Sequence, residues 1–280
     1  MSAVSDRIGF MQGRLSPPVD GKIQAFPKAH WREEFASAQD LGFARVEWTL
    51  DHEDLADNPL MTAEGQAEIR ALSAHHGVAV SSIAGDCFMQ APFWKVRDPA
   101  RTALIQEMTA VVRASATVGA SIVVVPLVDN GSLSSSEEEA ALAEGLAALT
   151  PLLRETRVRV AFESDYAPAQ LVRFMAGYPG DVFGINFDIG NSAGLGWAPR
   201  DEIPLIAPRL VNVHVKDRVR GGTTVPLGQG DADLPTAFRL LNEAGYGGFL
   251  ILQTARADDG NDLGVARAYR DLLLDLTGGL

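Results

Sequence analysis

Residues 183–216 read FGINFDIGNSAGLGWAPRDEIPLIAPRLVNVHVK. Two short apolar runs, 183–189 and 210–216, flank a longer segment with helical spacing, the pattern of two parallel strands buried on both faces and joined by a helix. The same unit recurs outward in both directions. Strand-like runs at 8–11, 44–50, 78–84, 121–128, 158–164, 183–189, 210–216 and 248–254 make eight, each followed by an amphipathic segment. Helix starts are marked by Thr62, by Asp98-Pro99 and by the acidic turn SSSEEEA near Ser136. Glycines 42, 77, 119 and 245 close helices just before the next strand. Eight even units without a glycine-rich dinucleotide turn predict one α/β domain over residues 1–280, a single (β/α)8 TIM barrel rather than an open doubly wound sheet.

Composition narrows the function. The 280 residues are 46% hydrophobic and 21% charged, enough apolar material for a large core. The formal charge of -12, with basic residues scattered, argues against a nucleic-acid partner. Cys87 is the sole cysteine, so any metal must use oxygen and imidazole ligands. The N-terminal stretch resembles neither a signal peptide nor a membrane span, which predicts a cytoplasmic protein.

In a barrel, polar residues at the C-terminal ends of strands form the active site. Strand 5 ends with Glu163, strand 6 with Asp188, strand 7 carries His214 with Lys216 and Asp217 after it, and strand 8 presents Gln253 and then Arg256. Four successive strands thus deliver an oxygen or imidazole donor to one place. That set suits one divalent cation, Mn, Co, Mg, Fe or Zn.

These residues resemble the sugar phosphate isomerase/epimerase family of xylose-isomerase-like barrels, with its ketose 3-epimerases and hydroxypyruvate isomerases. The carriers are IGFMQGRLSP at 8–17, Glu163, FDIGN with Asp188, HVKDR with His214, PLGQGDAD at 226–233 and GYGGFLILQ at 245–253. The resemblance implies a metal held by Glu163, Asp188, His214 and Gln253 and the isomerisation or epimerisation (EC 5.1.3 or 5.3.1 type) of a small sugar or sugar phosphate. In the family's epimerases the first and last ligands are glutamates that act as paired acid and base; here the last is Gln253, whose amide cannot take up a proton. Asn191 likewise stands where several members have a histidine that touches substrate.

Glu163 is therefore the expected base for an enediolate mechanism, and Asp86, after strand 3, is the first choice for a second acid or base. Cys87, Glu47 and Lys216 are further options for that second role. Gln12, Arg14, Glu47, Asn191, Lys216, Arg218 and Arg256 are expected to bind substrate, the cations forming a basic rim for a phosphate or carboxylate. Pairing of Lys216 with Asp217, or of Arg14 with an acid, is the alternative for that rim. Trp31, Phe88, Phe93, Trp94 and Trp197 are expected to wall the pocket from water. Two other functions remain open: a lyase or dehydratase on a similar sugar, and a non-catalytic sugar-binding barrel. A homodimer or homotetramer is expected, with a small-molecule sugar as the ligand and neither nucleic acid nor membrane as partner.

Overall fold

A computed structural model of the chain describes residues 4–278. Eight parallel strands close into a barrel: β1 Ile8–Met11, β2 Arg45–Thr49, β3 Ala79–Ala84, β4 Ile122–Leu127, β5 Arg159–Ser164, β6 Phe183–Asp188, β7 Leu210–Val215 and β8 Phe249–Leu252. Each pairs with its neighbours in sequence, and β8 returns to β1. Eight longer helices run between or after them: α1 Glu33–Leu41, α2 Ala63–His76, α3 Ala100–Val118, α4 Ser136–Thr156, α5 Pro168–Met175, α6 Pro199–Ile206, α7 Leu234–Glu243 and α8 Asp262–Thr277.

The boundaries follow local chemistry. Thr62 and Ser135 cap α2 and α4 by accepting the backbone N–H of Gly65 and Glu138. Gly42, Gly77 and Gly119 end α1, α2 and α3 in the left-handed conformation, which a glycine adopts without steric cost. β1 matches its apolar run and the other strands are one to three residues shorter than theirs: Lys216, Gln253 and Thr254 lie just past their strands, and Lys216 and Gln253 line the barrel mouth.

Two apolar layers result. Outward strand residues such as Phe10, Val46, Val125, Phe162 and Phe183 pack under the helices in the main core. Inside the barrel, Met11, Ala84 and Ile251 touch one another although β3 is not a neighbour of β1 or β8, and Ile122, Val124 and Ala161 form a second plug. Because side chains alternate along a strand, the positions two residues beyond Ala161 and Ile251 are Glu163 and Gln253. The alternation that fills the barrel thus also delivers its polar mouth. None of the helices among the described residues is long and apolar enough to cross a membrane.

Candidate active site

Register places the candidate ligands. Asp188 on β6 lies beside His214 on β7, His214 beside Ile251 on β8, and the Gln253 N–H donates to the Val215 carbonyl at 3.0 Å. Candidate ligand atoms of Glu163, Asp188 and His214 lie within 4.8 Å of one another, and all three residues are buried. Such acids need a compensating charge to remain ionised away from water.

His214 is oriented from below. Its Nε2 lies 2.7 Å from Glu47 Oε1, and Glu47 Oε2 accepts from Ser82 Oγ at 2.6 Å and Asn212 Nδ2 at 2.8 Å. The β2 and β7 strands are not neighbours, so this contact crosses the barrel interior. Nε2 donates to Glu47, and Nδ1 lies 3.2 Å from Glu163 Oε2 and 3.0 Å from Asn186 Nδ2. Burial would lower the imidazole pKa, but the carboxylates of Glu47 and Glu163 together raise it well above its ordinary value.

Glu163 is likewise fixed by donors. Its Oε1 accepts from Asn191 Nδ2 at 2.6 Å and its Oε2 from Asn186 Nδ2 at 2.9 Å. Burial alone would push its carboxyl up; His214, Lys216 and Asn186 outweigh it and hold the pKa below the usual range. Asp188 uses Oδ1 to accept the Asn191 N–H at 2.8 Å, which leaves Oδ2 toward Lys216 Nζ at 3.1 Å. Burial raises its pKa despite that ammonium.

A cavity of about 470 Å³ opens above this floor, lined by Glu163, His214, Gln253, Asp86, Gln24, Asn191, Lys216 and Arg218 together with Met11, Met89, Val124, Pro126 and Leu195. Asp86 follows β3 and starts a short helix, Asp86–Gln90. Burial, opposed by a hydrogen bond from Gln24, pushes its carboxyl up to about 7, with Asp51, Glu163 and Glu47 adding to the rise. Asn191 is the hub of the opposite wall, its Oδ1 accepting from Lys216 Nζ at 3.0 Å and Arg218 Nη1 at 2.9 Å.

Glu163, Asp188, His214, Gln253, Asp86, Asn191, Lys216 and Arg218 are therefore brought together. Four other residues expected to bind substrate sit elsewhere. Glu47 is fully buried beneath His214 with both oxygens engaged. Gln12 accepts the Thr49 N–H at 3.1 Å and braces β1 on β2. Arg14 is buried, its guanidinium donating to the carbonyls of Thr254 and Ile23, so it ties the loop after β1 to β8. Arg256 donates to the Ser16 carbonyl and to Asp262. The expected basic rim thus shrinks to Lys216 and Arg218, because a guanidinium with several donors is satisfied most readily by backbone carbonyls nearby.

The aromatic wall is also corrected. Trp31, Phe88, Phe93 and Trp94 are buried in the outer core, and the cavity's apolar side is aliphatic and methionine. Trp197 lies outside that cavity, beside the pocket under the Ile189–Leu195 helix. Cys87 is packed in the same core, and burial raises its thiol pKa. Asp217 does not pair with Lys216: its carboxylate accepts the N–H groups of Gly228, Gly230 and Ala232, which explains why HVKDR and PLGQGDAD occur together. A Cβ at Gly230 would overlap that carboxylate. Gln24, missed in the sequence, lies in a loop with no strand-end position to mark it.

The sequence model described as a xylose isomerase-like TIM barrel matches residues 35–273. The chain belongs to that family. L-ribulose-5-phosphate 3-epimerase UlaE of Salmonella heidelberg is 25% identical over 231 residues, 80% of this chain and 81% of its own length. The solved structure of D-psicose 3-epimerase with D-fructose superposes with a TM-score of 0.75 at 14% identity, covering 97% of this chain and 99% of its own. A xylose isomerase-like barrel from Mycobacterium smegmatis, in complex with magnesium, gives 0.73 at 19% identity and covers 99% of both chains. By this membership the chain is an enzyme barrel of the sugar isomerase/epimerase type.

Proposed function

We propose that the protein is a divalent-metal-dependent epimerase or isomerase of a small ketose. The observation that carries this reading is the buried Glu163, Asp188 and His214 group, two of whose members, Glu163 and His214, line one cavity with Gln253, whose buried Oε1 has no hydrogen-bonding partner among the described residues. Two carboxylates, an imidazole nitrogen and an amide oxygen fit a hard or borderline divalent ion, and an orphaned acceptor is what a cation would satisfy. UlaE and D-psicose 3-epimerase, both epimerases acting at carbon 3 of a ketose by name, support the reaction class, and the magnesium-bound relative supports the cation.

When bound, the metal supplies Lewis-acid polarisation of the substrate carbonyl and its neighbouring hydroxyl. Glu163 removes the proton from the carbon beside that carbonyl. Its low pKa keeps it ionised, and Asn186 and Asn191 hold it in place. Lys216, beside Asp188 and Asn191, donates toward the developing enediolate oxygen. Asp86 returns a proton to the substrate. Its carboxyl near 7 is poised to be either acid or base at neutral pH, and among the described residues its Oδ1 has no hydrogen-bonding partner. Reprotonation at the same carbon gives epimerisation; at the adjacent carbon it gives aldose–ketose exchange.

The test is a panel of ketoses with metal-reconstituted protein, followed by product analysis, and repeated with Glu163→Gln. Conversion without loss of water, absent in the variant, supports the reading; loss of water identifies a lyase instead.

A further inference from the structure

Gln253 raises a problem that a glutamate at the same place would not. A carboxylate offers a cation an oxygen whichever way it turns, whereas an amide offers one oxygen and one NH2 whose protons repel positive charge. Gln253 serves as a ligand only if something fixes its flip.

Gln24, in the loop after β1, touches it. Gln24 Oε1 accepts from Gln253 Nε2 at 2.8 Å and from Arg14 Nη2 at 3.3 Å, while Gln24 Nε2 donates to Asp86 Oδ2 at 2.5 Å. The two ends of this chain are fixed, because Arg14 can only donate and Asp86 Oδ2 accepts both when the carboxyl is ionised and when it carries its proton on Oδ1. Turning Gln24 over would set its NH2 against the guanidinium and its oxygen against the carboxylate. Arg14 is itself immobile: it is buried, and it holds the carbonyl of Thr254, the residue after Gln253, and that of Ile23, the residue before Gln24. With Gln24 so polarised, Gln253 must spend its NH2 on Gln24. Its Oε1 is left buried and without a partner in the cavity that Glu163 and His214 also line.

Resting on the reading of Glu163, Asp188 and His214 as a cation site, we propose that Gln24 is a positioning residue: with Arg14 and Asp86 it locks the Gln253 amide oxygen toward that group, giving the cation its fourth protein donor. Arg14 and Gln24 then have a role at the metal centre without touching metal or substrate. The substitution of glutamine for glutamate at 253 works because the loop after β1 reads its orientation.

The test is calorimetric titration of Mn²⁺ into the chelator-stripped full chain. Gln24→Leu, which removes the acceptor at similar volume, is expected to weaken Mn²⁺ binding about tenfold to a hundredfold. Gln24→Glu, made together with Asp86→Asn so that position 86 can donate where it had accepted, still accepts from Gln253 and Arg14 and is expected to bind at least as tightly as the parent. In a Gln253→Glu background Gln24→Leu is expected to change affinity less than about threefold, since a carboxylate needs no fixed flip. Equal losses in both backgrounds, an equal loss in Gln24→Glu with Asp86→Asn, or no loss in Gln24→Leu overturn the proposal. A parent protein that binds no Mn²⁺ overturns the cation-site reading itself, and the role of Gln24 with it.

Discussion

His214 Nε2 and Glu47 Oε1 meet at 2.7 Å across the interior of the barrel, so a glutamate in the middle of one strand fixes the ring of a histidine on another strand that is not its neighbour. The same carboxylate also takes hydrogen bonds from Ser82 and Asn212. Glu47→Ala leaves buried donors unpaired and the imidazole free to turn. It is expected to weaken divalent-metal binding about tenfold to a hundredfold, and to lower stability by about 3 kcal/mol, measured by calorimetry and denaturant unfolding.

Asp86 gives a prediction in pH. Its carboxyl is raised from 3.8 to about 7 by burial, so the folded protein holds this proton more tightly than the unfolded chain does. Its contribution to stability is full below the unfolded pKa near 4 and disappears as pH rises through about 7. Asp86→Asn removes this dependence, so the variant gains in Tm relative to the parent at pH 8 and not at pH 4. In kinetics, the limb of the kcat/KM profile near pH 7 is expected to vanish in Asp86→Asn, with kcat down about a hundredfold.

The charge at the cavity's mouth bears on substrate choice. Asp86, Asp129 and Asp165 line it, while Lys216 and Arg218 are already bound to Asn191, and Arg14 and Arg256 are spent on carbonyls and Asp262. A free ketose is therefore expected to outcompete its terminal phosphate by about tenfold in kcat/KM. Paired assays on both forms of one sugar check this, and a preference for the phosphate removes the argument.

Asp217 is fully buried and takes three backbone N–H groups from the 228–232 loop. Asp217→Ala strands those donors, at a cost of about 3 kcal/mol in thermal or denaturant unfolding. Asp217→Asn, with one acceptor oxygen, is expected to lose less.

The barrel was legible because both of its periods are written in the sequence: apolar runs on the strands, and capped amphipathic helices closed by Gly42, Gly77 and Gly119. The meeting of Glu163, Asp188 and His214 was legible for a related reason, since strand ends face the mouth. Gln12, Arg14 and Arg256 lie in the loops just after their strands and Glu47 lies in the middle of β2, and all four serve the barrel itself. Position along a strand says where a side chain starts, and partners such as Thr49, Thr254 and Asp262 decide where its donors are used. Gln24 lay beyond reach because its role depends on a loop that folds back over β8, a contact 229 residues apart in the chain.

The central claim is proton transfer by Glu163 at a carbon beside a ketose carbonyl. NMR of a converted ketose in deuterium oxide, with metal-loaded parent and Glu163→Gln proteins side by side, tests it most directly. The account predicts solvent deuterium at one carbon next to the carbonyl with the parent protein, and none with the variant. Equal deuterium incorporation by Glu163→Gln would contradict it.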